Sequence, residues 1–202
     1  MEQDGEAQGD EALARRAGEG DESAFETLVA RFHGRVYRLA RRLTGSDGDA
    51  QDVMQDTFLQ VYRGLGSFRG ESKLSTWLFR IATNAALMHR RRRERRPAES
   101  LEEYAPRFDD EGRHQLGEAE LSLPARADEL LDRRRLVEHA LEGIDRLPDL
   151  YRTAFVLRDL EEMPTAEVAA VLGCEPAAVR QRVHRARLLL RGYLSHLVGV
   201  EP

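Results

Sequence analysis

The helical spacing of apolar residues is the feature that most constrains this chain. Apolar residues recur every three or four positions in two blocks, at about 21–96 and 127–200, which is the repeat of an amphipathic helix. No stretch alternates apolar and polar residues for long enough to predict a strand. The intervening stretch 97–126 loses the repeat, contains proline and glycine, and is acidic. The sequence therefore predicts an all-α protein of two small helical domains joined by a flexible acidic linker.

The N-terminal block predicts three helices. Ser23 begins a capping box for the first, which Gly45 ends. The second covers about 47–63, and the third starts at a Ser72 cap and continues into four arginines at 90–93. The predicted buried stripes of these helices include Leu28, Phe32, Val53, Tyr62 and Trp77.

The C-terminal block ends in a short helix, a tight turn and a basic helix. The short helix covers about 165–172, the turn 173–175, and the last helix extends from Pro176 to about Leu197. A proline is well tolerated at a first helical position. This order predicts a helix-turn-helix, in which the second helix enters the major groove of DNA.

The faces of the last helix fit that role. At about 100° per residue, Val179, Val183, Ala186 and Leu190 share one sector, which predicts a buried face. The residues predicted to point away or to flank that face are Ala177, Arg180, Gln181, Arg182, His184, Arg185, Arg187 and Leu188. Arginine and glutamine can bond base edges in pairs, and flanking arginines suit phosphates. An arginine-rich solvated helix is the alternative, and the preceding helix and turn favour DNA binding.

Charge is segregated along the chain. The net charge is −5, but residues 1–30 carry −7, 31–96 carry +9, 97–134 carry −6 and 135–202 carry −1. Localised basic zones are what a nucleic-acid binder needs, whatever its net charge. The first 20 residues are acidic and predicted to be a disordered tail with no assigned role.

The composition excludes several classes of protein. The acidic first residues lack the basic and apolar parts of a secretory signal, so secretion is not expected. No apolar run approaches the roughly 18 residues that span a membrane, so we expect a cytoplasmic protein without stable membrane insertion. The single Cys174 excludes a disulfide framework or a multi-cysteine zinc site within the chain, and we interpret it as a turn residue.

The second predicted helix carries an acidic stripe. Asp49, Asp52 and Asp56 are three and four residues apart, so they share one face, with Gln55 beside them. From the pattern alone, a solvated face is favoured over a docking face for a basic partner. A metal-dependent hydrolase is a further alternative, although no histidine or cysteine stands at ligand spacing.

The third predicted helix suits single-stranded nucleic acid. Thr76, Arg80, Thr83 and Asn84 lie opposite its buried stripe, with Phe79 and Leu87 nearby and the segment 68–71 just before it. Bases stack on aromatic rings while arginines hold the backbone. The alternative is that Phe79 packs against another helix, and this alternative is favoured for Phe79 taken alone. Together with the arginines at 90–93, the surface as a whole favours the nucleic-acid interpretation.

These motifs resemble those of the extracytoplasmic-function (ECF), or group IV, sigma factors of bacterial RNA polymerase, in the sigma-70 family. The stretch 49–58 is similar to the family's core-polymerase-binding helix, 68–84 to its −10 promoter segment, and 147–187 to its −35-binding domain. The similarity covers about 20–96 and 130–195. It implies region 2 at 21–96, an acidic linker at 97–126 and region 4 at 127–200.

The resemblance also implies site residues. Those for core polymerase are Asp49, Asp52, Gln55, Asp56 and Phe58. Those for the melted −10 element are Phe68, Arg69, Gly70, Glu71, Ser72, Phe79, Arg80, Ile81 and Asn84, where the loop at 68–72 captures a flipped base. The exposed and flanking residues of the last helix from Ala177 to Arg187 are expected to read duplex −35 DNA.

The resemblance implies a specificity subunit that is not an enzyme. The polymerase supplies the metals and the chemistry, so no cofactor, metal site or catalytic residue is expected in this chain. The expected partners are core RNA polymerase, promoter DNA and an anti-sigma factor. The alternative function is a stand-alone helix-turn-helix regulator with an N-terminal sensor or dimerisation module, which leaves the segment 68–84 unexplained.

Overall fold

The computed structural model describes residues 2–93 and 133–197, and every regular element in these ranges is helical. The N-terminal domain contains α1 (Glu2–Gly18), α2 (Glu22–Thr44), α3 (Asp47–Gly64), a 3-10 turn (Leu65–Ser67) and α4 (Leu74–Arg93). The C-terminal domain contains α5 (Arg133–Arg146), α6 (Asp149–Phe155), a π-helical turn (Val156–Leu160), α7 (Thr165–Leu172) and α8 (Pro176–Leu197). The predicted all-α architecture is confirmed, and the predicted linker 97–126 lies outside the described residues.

The prediction of a disordered tail over the first 20 residues is wrong. The tail forms α1, which packs on α2 and buries Ala14 and Ala17. Asp10 accepts a hydrogen bond from Arg31 of α2 at 2.7 Å. The average charge of the segment concealed this short apolar stripe, whose alanines are small enough to let two helices approach closely.

The turn between α1 and α2 corrects the predicted cap. Asp21, not Ser23, is the N-cap of α2, and its carboxylate accepts from the Ala24 amide at 3.1 Å. The Ser23 hydroxyl donates to the same carboxylate at 2.7 Å, and Arg16 donates to it at 2.6 Å. These hydrogen bonds favour the ionised form and lower the pKa of Asp21 to about 2. Similarly, α4 begins at Leu74, and Ser72 does not cap it.

The core of the N-terminal domain lies between α2, α3 and α4. Leu28, Phe32 and Val53 are buried as predicted. Gly45 ends α2 in the left-handed conformation, with φ of 74°, and its amide donates to the Arg41 carbonyl at 2.9 Å. A side chain at this glycine would stand only 3.2 Å from the Asp145 carboxylate of α5. Gly45 therefore permits both the turn and the approach of the C-terminal domain.

Arg152 of α6 organises the C-terminal domain. Its side chain is 1% exposed, yet it makes only a distant 3.8 Å contact with a carboxylate, that of Asp149. The guanidinium instead donates to carbonyls at the end of α5: Ile144 at 2.8 Å, Leu147 at 2.6 Å and also Asp145. Helix ends leave carbonyls without intrahelical donors, and Arg152 supplies those donors. A longer contact of 3.5 Å reaches the Leu43 carbonyl of α2.

The two domains pack directly on each other. Helix α7 lies against α4, while α5 and the π-helical turn contact α2. Ion pairs between described residues cross the interface: Arg42–Glu161 at 2.6 Å, Lys73–Glu167 at 2.8 Å and Arg90–Asp149 at 2.9 Å. The structure thus holds the two domains in a closed arrangement. Within the described ranges, no helix is both long and apolar enough to span a bilayer.

Replacing Arg152 with methionine is expected to destabilise the protein by about 3 kcal/mol, because several buried carbonyls lose their donor. Urea denaturation monitored by circular dichroism measures this. The control is Arg63→Met at an exposed position, for which a change within about 0.5 kcal/mol is expected. Equal stability of the two variants would contradict the role given to Arg152.

Glu162 has φ of 55°, a left-handed conformation that favours glycine. Glu162→Gly is therefore expected to stabilise the protein by about 1 kcal/mol in the same assay. The matched control is Glu26→Gly inside α2, which should destabilise by about 1 kcal/mol. A loss of stability in both variants would show that no strain is relieved at position 162.

Candidate nucleic-acid interfaces

The first candidate surface is the acidic face of α3, defined by Asp49, Asp52, Gln55 and Asp56. Asp52, Gln55 and Asp56 are exposed, and Asp49 is half-buried near the Ser46 cap. Asp56 lies 3.8 Å from His89 of α4. The structure therefore places these four residues on one side of one helix, as their spacing predicts. Phe58 is half-buried and packs against the core.

Two apolar residues that the sequence reasoning missed extend this face. Leu59 is 46% exposed and Tyr62 is 55% exposed. The prediction that Tyr62 is buried is wrong, because its ring packs edge-on against Phe25 at 5.0 Å and stays at the surface. Exposed apolar residues beside carboxylates are typical of a protein-binding surface rather than a solvated one.

The second candidate surface is a cavity of about 460 Å³ where the 3-10 turn and the following loop meet α4. We call it the aromatic pocket, and its lining residues are Ser67, Phe68, Arg69, Glu71, Ser72, Trp77 and Arg80. The Phe68 and Trp77 rings are 5.1 Å apart at an angle of 42°. The two rings are already in contact, so a planar base has room to stack on an outer face of one of them but not between them, with arginines nearby for the backbone.

Most predicted residues of this surface come together, and some do not. Gly70 has φ of 71° and turns the loop between Arg69 and Glu71. Asn84 is exposed on α4, one turn beyond Arg80, while Ile81 is half-buried against the core. Thr76 and Thr83 are buried, contrary to the prediction that they lie on the exposed side of this helix. Trp77 is partly buried against the core, as the apolar stripe predicts, and it also forms a wall of the pocket.

The structure corrects the prediction that Phe79 contacts the −10 element. It is 0% exposed, so it cannot stack on a base in this structure. The Arg35 guanidinium of α2 covers its ring, 4.7 Å from the centroid. The alternative, that Phe79 packs against another helix, is the one the structure supports. Its apolar ring favours the space between α2 and α4 over water.

The third candidate surface is the outer face of α8. Val179, Val183, Ala186 and Leu190 are buried as predicted, but Leu188 is also buried, contrary to the helical-wheel prediction. The exposed residues are Ala177, Arg180, Gln181, His184 and Arg187, and Arg182 and Arg185 are half-buried. Gly173, with φ of 60°, forms the turn from α7.

Two arginines of α8 have partners within the domain. The Arg187 guanidinium donates twice to the Asp159 carboxylate, at 2.8 Å each, and this pairing raises the pKa of Arg187. Arg182 lies 3.5 Å from the Cys174 sulfur. Both contacts hold a long side chain beside the exposed face of α8.

No group of three or more histidine, cysteine, aspartate or glutamate side chains within 2–93 and 133–197 is arranged to hold a metal ion. His89 of α4 approaches Asp56 of the acidic face at 3.8 Å, but the two do not belong to any such group of three among the described residues. This arrangement does not favour the metal-dependent hydrolase.

Comparisons with known proteins identify the chain. The family model for Sigma-70 region 2 matches residues 28–96, and that for Sigma-70, region 4 matches residues 140–190. The RNA polymerase sigma-H factor of Pseudomonas aeruginosa is 39% identical over 180 residues, which cover 88% of this chain and 90% of that protein. The ECF RNA polymerase sigma-E factor of Salmonella typhimurium is 37% identical over 191 residues, covering 94% and 96%.

A solved structure has the same fold. CnrH, determined in complex with the cytosolic domain of CnrY, superposes with a TM-score of 0.64 at 27% identity, covering 96% of this chain and 99% of that one. The two matched regions and the named relatives define a two-domain, helical transcription initiation factor, a class of protein that is not enzymatic. The chain belongs to the sigma-70 family, among the ECF sigma factors of bacterial RNA polymerase. A stand-alone helix-turn-helix regulator is not favoured, because the N-terminal domain matches region 2.

Proposed function

We propose that this sigma factor divides its work among the three surfaces described above. The acidic face of α3, with Leu59 and Tyr62, binds core polymerase. The aromatic pocket captures a base of the melted −10 element, and the outer face of α8 reads the −35 element. The observation that carries this assignment is the order of the two matched regions, with each surface lying inside its matched region.

The acidic face is suited to a basic helical partner. Carboxylates three and four residues apart can pair with basic side chains along one side of a partner helix. The exposed Leu59 side chain and Tyr62 ring supply apolar contact area. This area adds to the binding energy, because surface ion pairs alone contribute little. The carboxylates and the two apolar side chains together form one surface that a partner protein can bind.

The aromatic pocket is suited to one unstacked base. Its volume of about 460 Å³ lies within the range of small-ligand sites. Extruding a base costs a few kcal/mol, so capture in the pocket favours sequences that melt easily. Phe68 and Trp77 offer the stacking surface, while Ser67, Ser72 and Glu71 offer hydrogen-bonding groups for the edge of the base.

The outer face of α8 is suited to the major groove. Small Ala177 allows close approach, and Gln181 and Arg185 can make paired hydrogen bonds to bases. The arginines at the flanks, Arg180 and Arg182, are placed for phosphates, which set position rather than sequence. Arg187 already pairs with Asp159, so its contact with a phosphate competes with this ion pair and is weaker.

The proposal extends to location and regulation. A sigma factor works where polymerase and chromosome are, so we place this chain in the cytoplasm. CnrH is solved with the cytosolic domain of a second protein, CnrY. By analogy, this chain is held inactive by an anti-sigma partner that prevents it from binding core polymerase.

The direct test is run-off transcription with purified core polymerase, after promoter sequences are identified by start-site mapping. Asp52→Arg is expected to weaken core binding at least tenfold, because it places a cation inside an acidic docking face. The control is Glu26→Arg, an exposed change outside that face. Normal core affinity of Asp52→Arg would refute the docking assignment, and absence of core binding by the unaltered chain would refute the function itself.

Arg185→Ala is expected to weaken −35 binding by about 1–3 kcal/mol and to change the base preference at one position. The matched variant Arg180→Ala should weaken binding to all sequences about equally, because it contacts phosphate. Competition binding on a set of single-base promoter variants separates the two patterns. A uniform loss for Arg185→Ala would reassign that residue to the backbone.

A further inference from the structure

The arginines of α2 are not all neutralised in the same way. Arg31 pairs with Asp10 at 2.7 Å, and Arg41 pairs with Asp47 at 2.9 Å, both inside the N-terminal domain. We define the α2 arginine face as Arg35, Arg38 and Arg42. They are three and four residues apart, so they lie on one side of the helix, where like charges repel. Among the described residues, none of these three pairs with a carboxylate of its own domain.

The Glu161 carboxylate of the C-terminal domain lies against this face. The Glu161 carboxylate accepts from Arg42 at 2.6 Å, and Arg42 also donates to the Leu160 carbonyl at 3.2 Å. The Glu161 side chain is only 4% exposed in this position. One negative charge against three guanidinium groups leaves the face incompletely neutralised.

The fit of Glu161 is imperfect. Burial raises the pKa of its carboxyl group, although Arg42, Arg35 and Arg38 each act to lower it. The cost of removing the charge from water therefore exceeds what the arginines return. A contact of this kind can be exchanged for a better anion. Backbone phosphates are such anions, because guanidinium groups bind them in pairs of hydrogen bonds and a DNA strand presents several in a row.

The α2 arginine face also adjoins the aromatic pocket. Arg35 covers Phe79, and the next residue of α4, Arg80, lines the pocket. A strand with one base in the pocket would meet this face with its neighbouring phosphates. The face lies on a helix that no predicted DNA contact includes.

We infer that the α2 arginine face is a binding site for the phosphate backbone of promoter DNA, which Glu161 occupies while the two domains are closed. The inference rests on the proposed function. Opening of the domains withdraws Glu161 and uncovers the site, so Arg42 first holds the closed form together and then binds DNA with Arg35 and Arg38.

The test compares two halves of one ion pair in the full-length chain without polymerase. Binding of a fluorescein-labelled forked DNA is measured by fluorescence anisotropy over a range of salt concentrations. Glu161→Gln should bind about threefold or more tightly, because it uncovers the site and keeps the arginines. Arg42→Gln should bind roughly three- to tenfold more weakly, with a salt slope smaller by about one, because it removes a phosphate contact.

Two control variants complete the design. Glu167→Gln removes the Lys73 ion pair, so it loosens the domain interface without changing the α2 arginine face. Like Glu161→Gln, it should bind DNA more tightly than the unaltered chain. Arg42→Gln should still weaken DNA binding when the two changes are combined. Arg63→Gln removes an exposed positive charge elsewhere and measures the nonspecific effect of charge. Circular dichroism checks that each variant is folded.

Tighter binding by Arg42→Gln would overturn the inference, because the pair would then be a latch with no site beneath it. Equal binding by Arg42→Gln and Arg63→Gln would also overturn it, as would undetectable DNA binding by every variant. Failure of the proposed function has a different signature, which is a chain that gives no run-off transcript with core polymerase whatever the ranking of the variants in DNA binding.

Discussion

The buried guanidinium of Arg152 is the interaction on which the rest of the structure depends. It gathers the carbonyls at the end of α5 from inside the C-terminal domain, and so it fixes the angle at which α6 leaves α5. That angle sets where α7 packs and where α8 presents its arginines. The longer contact to the Leu43 carbonyl ties the same group to the end of α2. A cation without a close carboxylate partner is tolerable here because helix-end carbonyls present their negative ends to it.

Electrostatics, rather than apolar area alone, determines how the two domains meet. The N-terminal domain contributes the cations Arg42, Lys73 and Arg90, and the C-terminal domain contributes Glu161, Glu167 and Asp149. The excess of positive charge in 31–96 is therefore partly matched inside the molecule. Partly exposed ion pairs are individually weak and are screened by salt. A closed form held in this way can exchange its internal anions for those of a polyanion.

The sequence predicted the elements well where one local rule determines the outcome. Gly45 ends α2 because only a left-handed residue can do so there, and Val179 and Val183 are buried because their spacing follows the helical period. The predictions failed where partners distant in sequence decide. Phe79 is buried because Arg35, 44 positions earlier, closes over it. Tyr62 stays exposed and packs edge-on against Phe25. Trp77 does pack against the core, but its second role as a wall of the pocket depends on the loop at 68–72, which lies beside it. The ion pairs that fix Arg187 and Arg42 also depend on tertiary placement, which residue spacing does not encode.

The Lys73–Glu167 pair contains the one side-chain amine of the chain. Lys73 is the single lysine among 202 residues, and it stands at the seam between the domains, half in water. Every amine-directed reaction with a side chain, from acetylation to attachment of a fluorophore, therefore falls on this one position. Neutralising that amine removes a cation that faces the other domain, while the arginines, which resist such reagents, are left as they were. Because the other strongly basic side chains are all arginines, acylation of side-chain amines is confined to the junction between the two domains.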